Sequence, residues 1–134
     1  MRLCPDEWIV SLLSDVTDIR ERDRLRSPVE SIQWDIAKRA LTLGIDVVLE
    51  WGFWSREERA HYRSQAEALG ARVELRYRDV ERHELWARLS QRNAHLPPGT
   101  FVVTEEQLNL WWSWFQPPTA DELQAQSSEE AGQA

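Results

Sequence analysis

Apolar positions along this chain recur at two periods, and capping residues mark where one period gives way to the other. Val29, Ile32, Ile36, Ala40 and Leu43 are three or four apart, the spacing of one stripe on an amphipathic helix. Ser27-Pro28-Val29-Glu30 precedes the stripe with a capping serine, proline at the first helical position and glutamate three residues after the cap. Gly44 follows it, so a helix is predicted from Pro28 to about Leu43. A strand is expected directly afterwards, from about Ile45 to Leu49. Ser55-Arg56-Glu57-Glu58 is a second capping box, with Tyr62, Ala66 and Leu69 on one face and Gly70 as terminator. Val73, Leu75 and Tyr77 then alternate with charges, which predicts a half-exposed strand over 72–77. A third helix is expected from Asp79 or Val80 to about Asn93, with Leu85, Trp86 and Leu89 inward. After Pro97-Pro98-Gly99, Thr104 to Gln107 opens a helix carrying Leu108, Trp111, Trp112 and Phe115, stopped by Pro117-Pro118.

At the front, Asp6 precedes a helix with Ile9, Leu12, Leu13 and Val16, and residues 14–26 read as a charged loop or frayed helix. Residues 119–134 are polar, small and acidic; they are expected to be a disordered tail behind a domain of residues 1–118. Alternating helices and strands predict an α/β fold with a parallel sheet flanked by helices. In such sheets functional groups gather at the carboxyl ends of the strands, which puts Glu50, Trp51, Phe53 and Trp54 on a ligand-facing rim.

Composition narrows the function. The 134 residues suffice for one domain. No apolar run is long enough to span a membrane and no signal pattern opens the chain, so a cytoplasmic protein is expected. The single cysteine, Cys4, excludes an internal disulfide, and His61, His83 and His95 have no metal-ligand spacing. A net charge of −7 argues against a nucleic-acid partner. The basic residues are arginine apart from Lys38, which suits forked recognition of phosphate or carboxylate as well as it suits a codon bias.

The succession "PDEW", "WDIAKRALTLGIDVVLEWGFWSREER", "RVELRYRDV", "LWARLSQRN", "GTFVVTEEQL" and "FQPPTADE" resembles the small P-loop kinase-like ATP-binding proteins related to zeta toxins and chloramphenicol phosphotransferase, over residues 3–122. The resemblance implies an ATP-binding small-molecule phosphotransferase with ATP and Mg2+ as cofactors. Asp6 would accept or orient the proton of the acceptor hydroxyl. Glu50 would hold magnesium through water. Arg88 and Arg92 would contact the nucleotide and neutralise charge on the transferred phosphoryl group. Trp51, Phe53, Trp54 and Arg56 would form the acceptor site. The residues also permit plainer roles: Asp6 as a helix N-cap, Glu50 as the partner of an arginine at the sheet edge, Arg88 and Arg92 as a solvated face offset by Glu84.

The family's phosphate-gripping loop, Gly-x-x-x-x-Gly-Lys-Ser/Thr, does not occur: the glycines at 44, 52, 70, 99 and 132 are never five apart. The resemblance starts where relatives have completed a first strand, that loop and a first helix, so the sheet is expected to lack its central first strand, which would lie between 45–49 and 72–77. Residues 1–4 would be a remnant of the second strand. Three expectations follow: the larger part of a phosphotransferase that is inactive as this polypeptide, a non-catalytic binding module for a small molecule or protein, or a subunit completed by a partner chain. Open sheet edges would favour self-association.

Overall fold

The computed structural model describes residues 1–123; the part of the expected acidic tail from residue 124 onward lies outside the described residues. The order is β1 (Arg2–Leu3), α1 (Pro5–Leu12), α2 (Ile19–Thr42), β2 (Val48–Leu49), α3 (Arg56–Ala68), α4 (Arg82–Ala94) and α5 (Glu105–Trp114). β1 and β2 pair in parallel with Arg2 opposite Val48 and Leu3 opposite Leu49. The result is an α/β fold, dominated by helices, around a two-stranded parallel sheet. No described helix is long and apolar enough to cross a membrane.

α2 departs most from the expected boundaries. It starts nine residues before Pro28, capped by Asp18, whose side chain accepts from the Glu21 N–H at 3.1 Å. Asp15 ties off the preceding turn by accepting from the Thr17 N–H and hydroxyl. Residues 19–27 are mostly arginine, glutamate and leucine, good helix formers, so the helix runs through Ser27-Pro28 instead of starting there. Its 24 residues span about 36 Å at the standard rise. The buried face is also rotated from the predicted stripe. Val29, Gln33, Trp34, Ala37 and Ala40 face inward, whereas Ile32, Ile36 and Leu43 are exposed, because the sheet and α3 meet the helix on the Trp34 side.

The apolar interior forms two clusters. Leu3, Trp34, Ala37 and Ala66 make the first, with Val47, Leu49, Trp51, Tyr62, Ala71 and Val73 packed around it. Phe101, Val103 and Leu108 make the second, covered by Leu85, Trp86, Leu89 and Trp111 from α4 and α5. The helix-facing residues predicted for α4 are therefore the ones that pack. The α5 capping box is present as predicted: Thr104 accepts from the Gln107 N–H at 3.2 Å and Gln107 returns the contact to the Thr104 N–H at 3.0 Å.

The predicted strand at 72–77 keeps its alternation of half-buried and exposed residues but belongs to no ladder. The local pattern is that of a strand, yet no described strand lies alongside to pair with it. The predicted strand 45–49 contracts to Val48–Leu49 because only that length faces β1.

Candidate functional site: the carboxyl ends of the strands

β2 ends in Glu50, and the chain then turns through Trp51-Gly52-Phe53-Trp54 before Ser55 caps α3 by accepting from the Glu58 N–H at 3.0 Å. Trp51 stacks on Phe53 with ring centroids 5.7 Å apart, and both meet the edge or face of Tyr62. The Trp51 indole N–H donates to Gln33 Oε1 at 3.1 Å, which fixes the ring over α2. Trp54 turns the other way, against Trp111 and Phe115 of the α5 end. Phe53 sits at φ +46°, a left-handed conformation that costs a non-glycine residue on the order of 1 kcal/mol or more. The strain is held by neighbours, since Arg59 Nη1 donates to the Phe53 carbonyl at 2.9 Å. Gly52 is required by close approach: a Cβ there would lie 2.4 Å from Trp54 Nε1.

Phe115 also touches Tyr77, at the carboxyl end of the extended segment, with centroids 5.8 Å apart. Tyr77, Asp79, Trp112, Phe115, Pro117 and Pro118 line an open cavity of about 340 Å3. Burial pushes the Tyr77 hydroxyl above its ordinary pKa and nearby Asp79 adds to the effect. Three aromatic rings, two prolines and one acid suit a small aromatic or cationic group.

The sequence-predicted charged residues make separate contacts and are not brought together. Asp6, in the first turn of α1 and not at its cap, accepts from Arg26 Nη2 at 2.8 Å. Cys4 occupies the cap position without a side-chain bond. Glu50 is gripped by Arg2 through both oxygens, Nε–Oε1 2.7 Å and Nη2–Oε2 2.8 Å, and the same arginine reaches Glu7 at 2.8 Å. Residues 2, 48 and 50 share a sheet face by register, which is why the fork meets the carboxylate squarely. The Arg2 bond holds the Glu50 carboxyl below its ordinary range. Arg88 pairs with Glu84 one turn back at 2.6 Å. Arg92, by contrast, donates to the Phe101 carbonyl at 3.1 Å and leaves its Nε buried without a hydrogen-bond partner among the described residues. Arg56 bonds to Thr119 and Asp121.

Four residues important to this architecture were not singled out in the sequence. Asn93 acts as a surrogate strand for Val103, donating to its carbonyl at 2.7 Å and accepting from its N–H at 3.1 Å. Arg22 is 2% exposed, lies 4.0 Å over the Phe101 ring, and its Nη2 has no hydrogen-bond partner among the described residues. Desolvation lowers its pKa. Arg59 and Glu122 form a nearly buried pair, Nε–Oε1 2.8 Å and Nη2–Oε2 3.1 Å. The only forward signal for the last two was the pairing of "SREER" with "TADE", arginines and acids that are far apart in sequence.

The residues at hand do not fit an ATP–magnesium site. No glycine-rich loop with its lysine is encoded to cradle the phosphates. Glu50, the acid expected to serve the metal, has both oxygens bonded to Arg2, and no three acids, histidines or cysteines converge among the described residues.

No curated protein and no solved structure matches the chain. A protein-family model described as AAA domain matches residues 1–118, the region that holds both apolar clusters, the parallel strand pair and the aromatic rim. With nearly nine-tenths of the chain inside that match, the protein belongs to this AAA domain family, a nucleotide-binding, P-loop NTPase-like group.

Proposed function

We propose that this polypeptide is the acceptor-binding part of a small-molecule phosphotransferase of the zeta toxin and chloramphenicol phosphotransferase kind, and that by itself it binds an acceptor without turning over ATP. The observation that carries the reading is Phe115, which joins Trp54, in the loop after β2, and Tyr77, at the end of the extended segment, into one aromatic wall beside the cavity. Open α/β sheets bind ligands at the carboxyl ends of their strands. The absence of a phosphate-cradling loop from the sequence supports the second half.

Within this reading Trp51, Phe53, Trp54 and Arg56 shape the acceptor side. Asp6, oriented by Arg26, is the group that would take a hydrogen bond from an acceptor hydroxyl. Arg88 and Arg92 lie four apart on α4 and are the cations that a bound phosphate would compete for against Glu84 and the Phe101 carbonyl. Glu50 has a structural part to play, since Arg2 already occupies both of its oxygens.

Two titrations of the 134-residue chain test the proposal. ATP with and without Mg2+ should give no micromolar, magnesium-dependent binding and no ADP. p-Nitrobenzyl alcohol, an aromatic hydroxyl probe, should quench tryptophan emission in the native chain and lose that effect in Phe115→Ala. Magnesium-dependent ATP binding would overturn the inactivity, and equal quenching of the variant would overturn the acceptor site.

A further inference from the structure

The cavity beside the aromatic wall has a lining that discriminates between ligands by charge. Tyr77, Trp112 and Phe115 supply three rings, Pro117 and Pro118 supply carbon, and Asp79 is the one carboxylate, around about 340 Å3. That volume is at the small end of ligand pockets, which run from about 300 to 1,000 Å3. No lysine, arginine or histidine is among the six residues. Arg76 and Arg78 flank Tyr77 in sequence, but the alternation of this segment turns them away from the half-buried side that Tyr77 occupies.

The groups a ligand would meet are uncommitted. Asp79 is exposed and has no hydrogen bond or ion pair among the described residues. Its charge nevertheless reaches the Tyr77 hydroxyl, whose pKa is raised by burial first and by Asp79 second. The planes of Tyr77 and Phe115 are inclined at 38°, so neither ring covers the face of the other. The ring contacts of this region join Trp54, Trp111, Phe115 and Tyr77 and leave out Trp112, which is 41% exposed.

Three kinds of ligand can be weighed against such a lining. An anion is repelled by Asp79 and finds few donors, since Pro117 and Pro118 have no N–H. A neutral group strips water from the Asp79 carboxylate and gives nothing back. A cation replaces that water with an opposite charge and meets the electron-rich faces of the rings. The net charge of −7 favours its approach as well. A primary ammonium needs three acceptors, and the lining side chains offer the Asp79 carboxylate and the Tyr77 hydroxyl. An ammonium whose hydrogens are replaced by alkyl groups has no such need and presents carbon to carbon.

We propose that the acceptor taken by this cavity is an alcohol carrying an alkylated ammonium group, seated against Tyr77, Trp112 and Phe115 with Asp79 as its counter-charge. The proposal rests on the acceptor-binding reading above and narrows it, because an aromatic wall without Asp79 would take a neutral ring equally well.

Choline and 3,3-dimethyl-1-butanol test it, since they share one shape and differ in a charged nitrogen against a neutral carbon. Calorimetric titration of the full chain should give choline an affinity at least about tenfold higher, the size of one desolvated cation–aromatic contact. Asp79→Asn should weaken choline binding by about tenfold while the far-ultraviolet circular dichroism of the chain stays native, because Asp79 bonds to nothing in the fold. Equal affinity for the two alcohols, or native choline affinity in Asp79→Asn, overturns the ammonium class. If p-nitrobenzyl alcohol still quenches the native chain in that case, the acceptor site stands and only its charge preference falls. A native chain that binds none of the three alcohols overturns both readings.

Discussion

Arg59 holds Glu122 with two nitrogens and the Phe53 carbonyl with the third, so a single guanidinium ties the C-terminal turn to the strained aromatic loop. The pair is almost fully enclosed, with 5% and 11% of the two side chains exposed. Removing one partner of an enclosed ion pair leaves a buried charge and typically costs about 3–5 kcal/mol. Glu122→Leu is expected to fall within that range. Arg59→Leu/Glu122→Leu should recover much of the loss, and urea denaturation of the four proteins of the cycle measures the coupling.

The same pair predicts an acid limit. The Arg59 bond, helped by the Thr119 N–H, holds the Glu122 carboxyl below its ordinary value of 4.5. A depressed carboxyl contributes its full stabilisation above pH 4.5 and loses it as pH falls through the lowered folded-state value. Native-chain stability should therefore decline below about pH 4.5 through this group, and Glu122→Gln should flatten that part of the profile.

Glu50→Gln separates a structural from a metal-linked acid. Arg2 and Glu50 are each about half exposed, so their pair is worth at most about 1 kcal/mol despite its fork geometry. Thermal melts should show a loss of that size, smaller at high salt, and identical with and without Mg2+. A magnesium-dependent difference would return Glu50 to the metal role.

Gly52→Ala places a methyl group 2.4 Å from Trp54 Nε1. The indole must swing away from Trp111 and Phe115, so tryptophan emission should shift and stability should fall by roughly 1–3 kcal/mol. An unchanged emission spectrum would mean that Trp54 is not seated over Gly52.

Pro28→Ala should stabilise the protein. Pro28 lies inside α2, is exposed, and supplies no N–H for the Arg24 carbonyl. Interior proline costs about 3 kcal/mol in a helix, and residual bending keeps part of that penalty, so a gain of about 1–2 kcal/mol is expected in denaturant titrations.

Ser55 and Thr104 were legible in advance because a helix cap depends on neighbours within four residues, and the alternation of 72–77 was legible for the same local reason. Ser27-Pro28 misled because a helix start and a proline tolerated in mid-helix share one local pattern; Asp18 nine residues earlier had already begun the helix. Which face of α2 is buried, whether 72–77 finds a partner strand, and which of sixteen basic residues meets which acid all depend on contacts 20 to 80 residues apart. The sequence by itself determined the helix punctuation and the family's succession of motifs, since both are written in short windows. Tertiary structure alone decided that Arg2 would occupy Glu50 and that Arg59 would enclose Glu122, because charge pairing is chosen by what packing brings within about 3 Å.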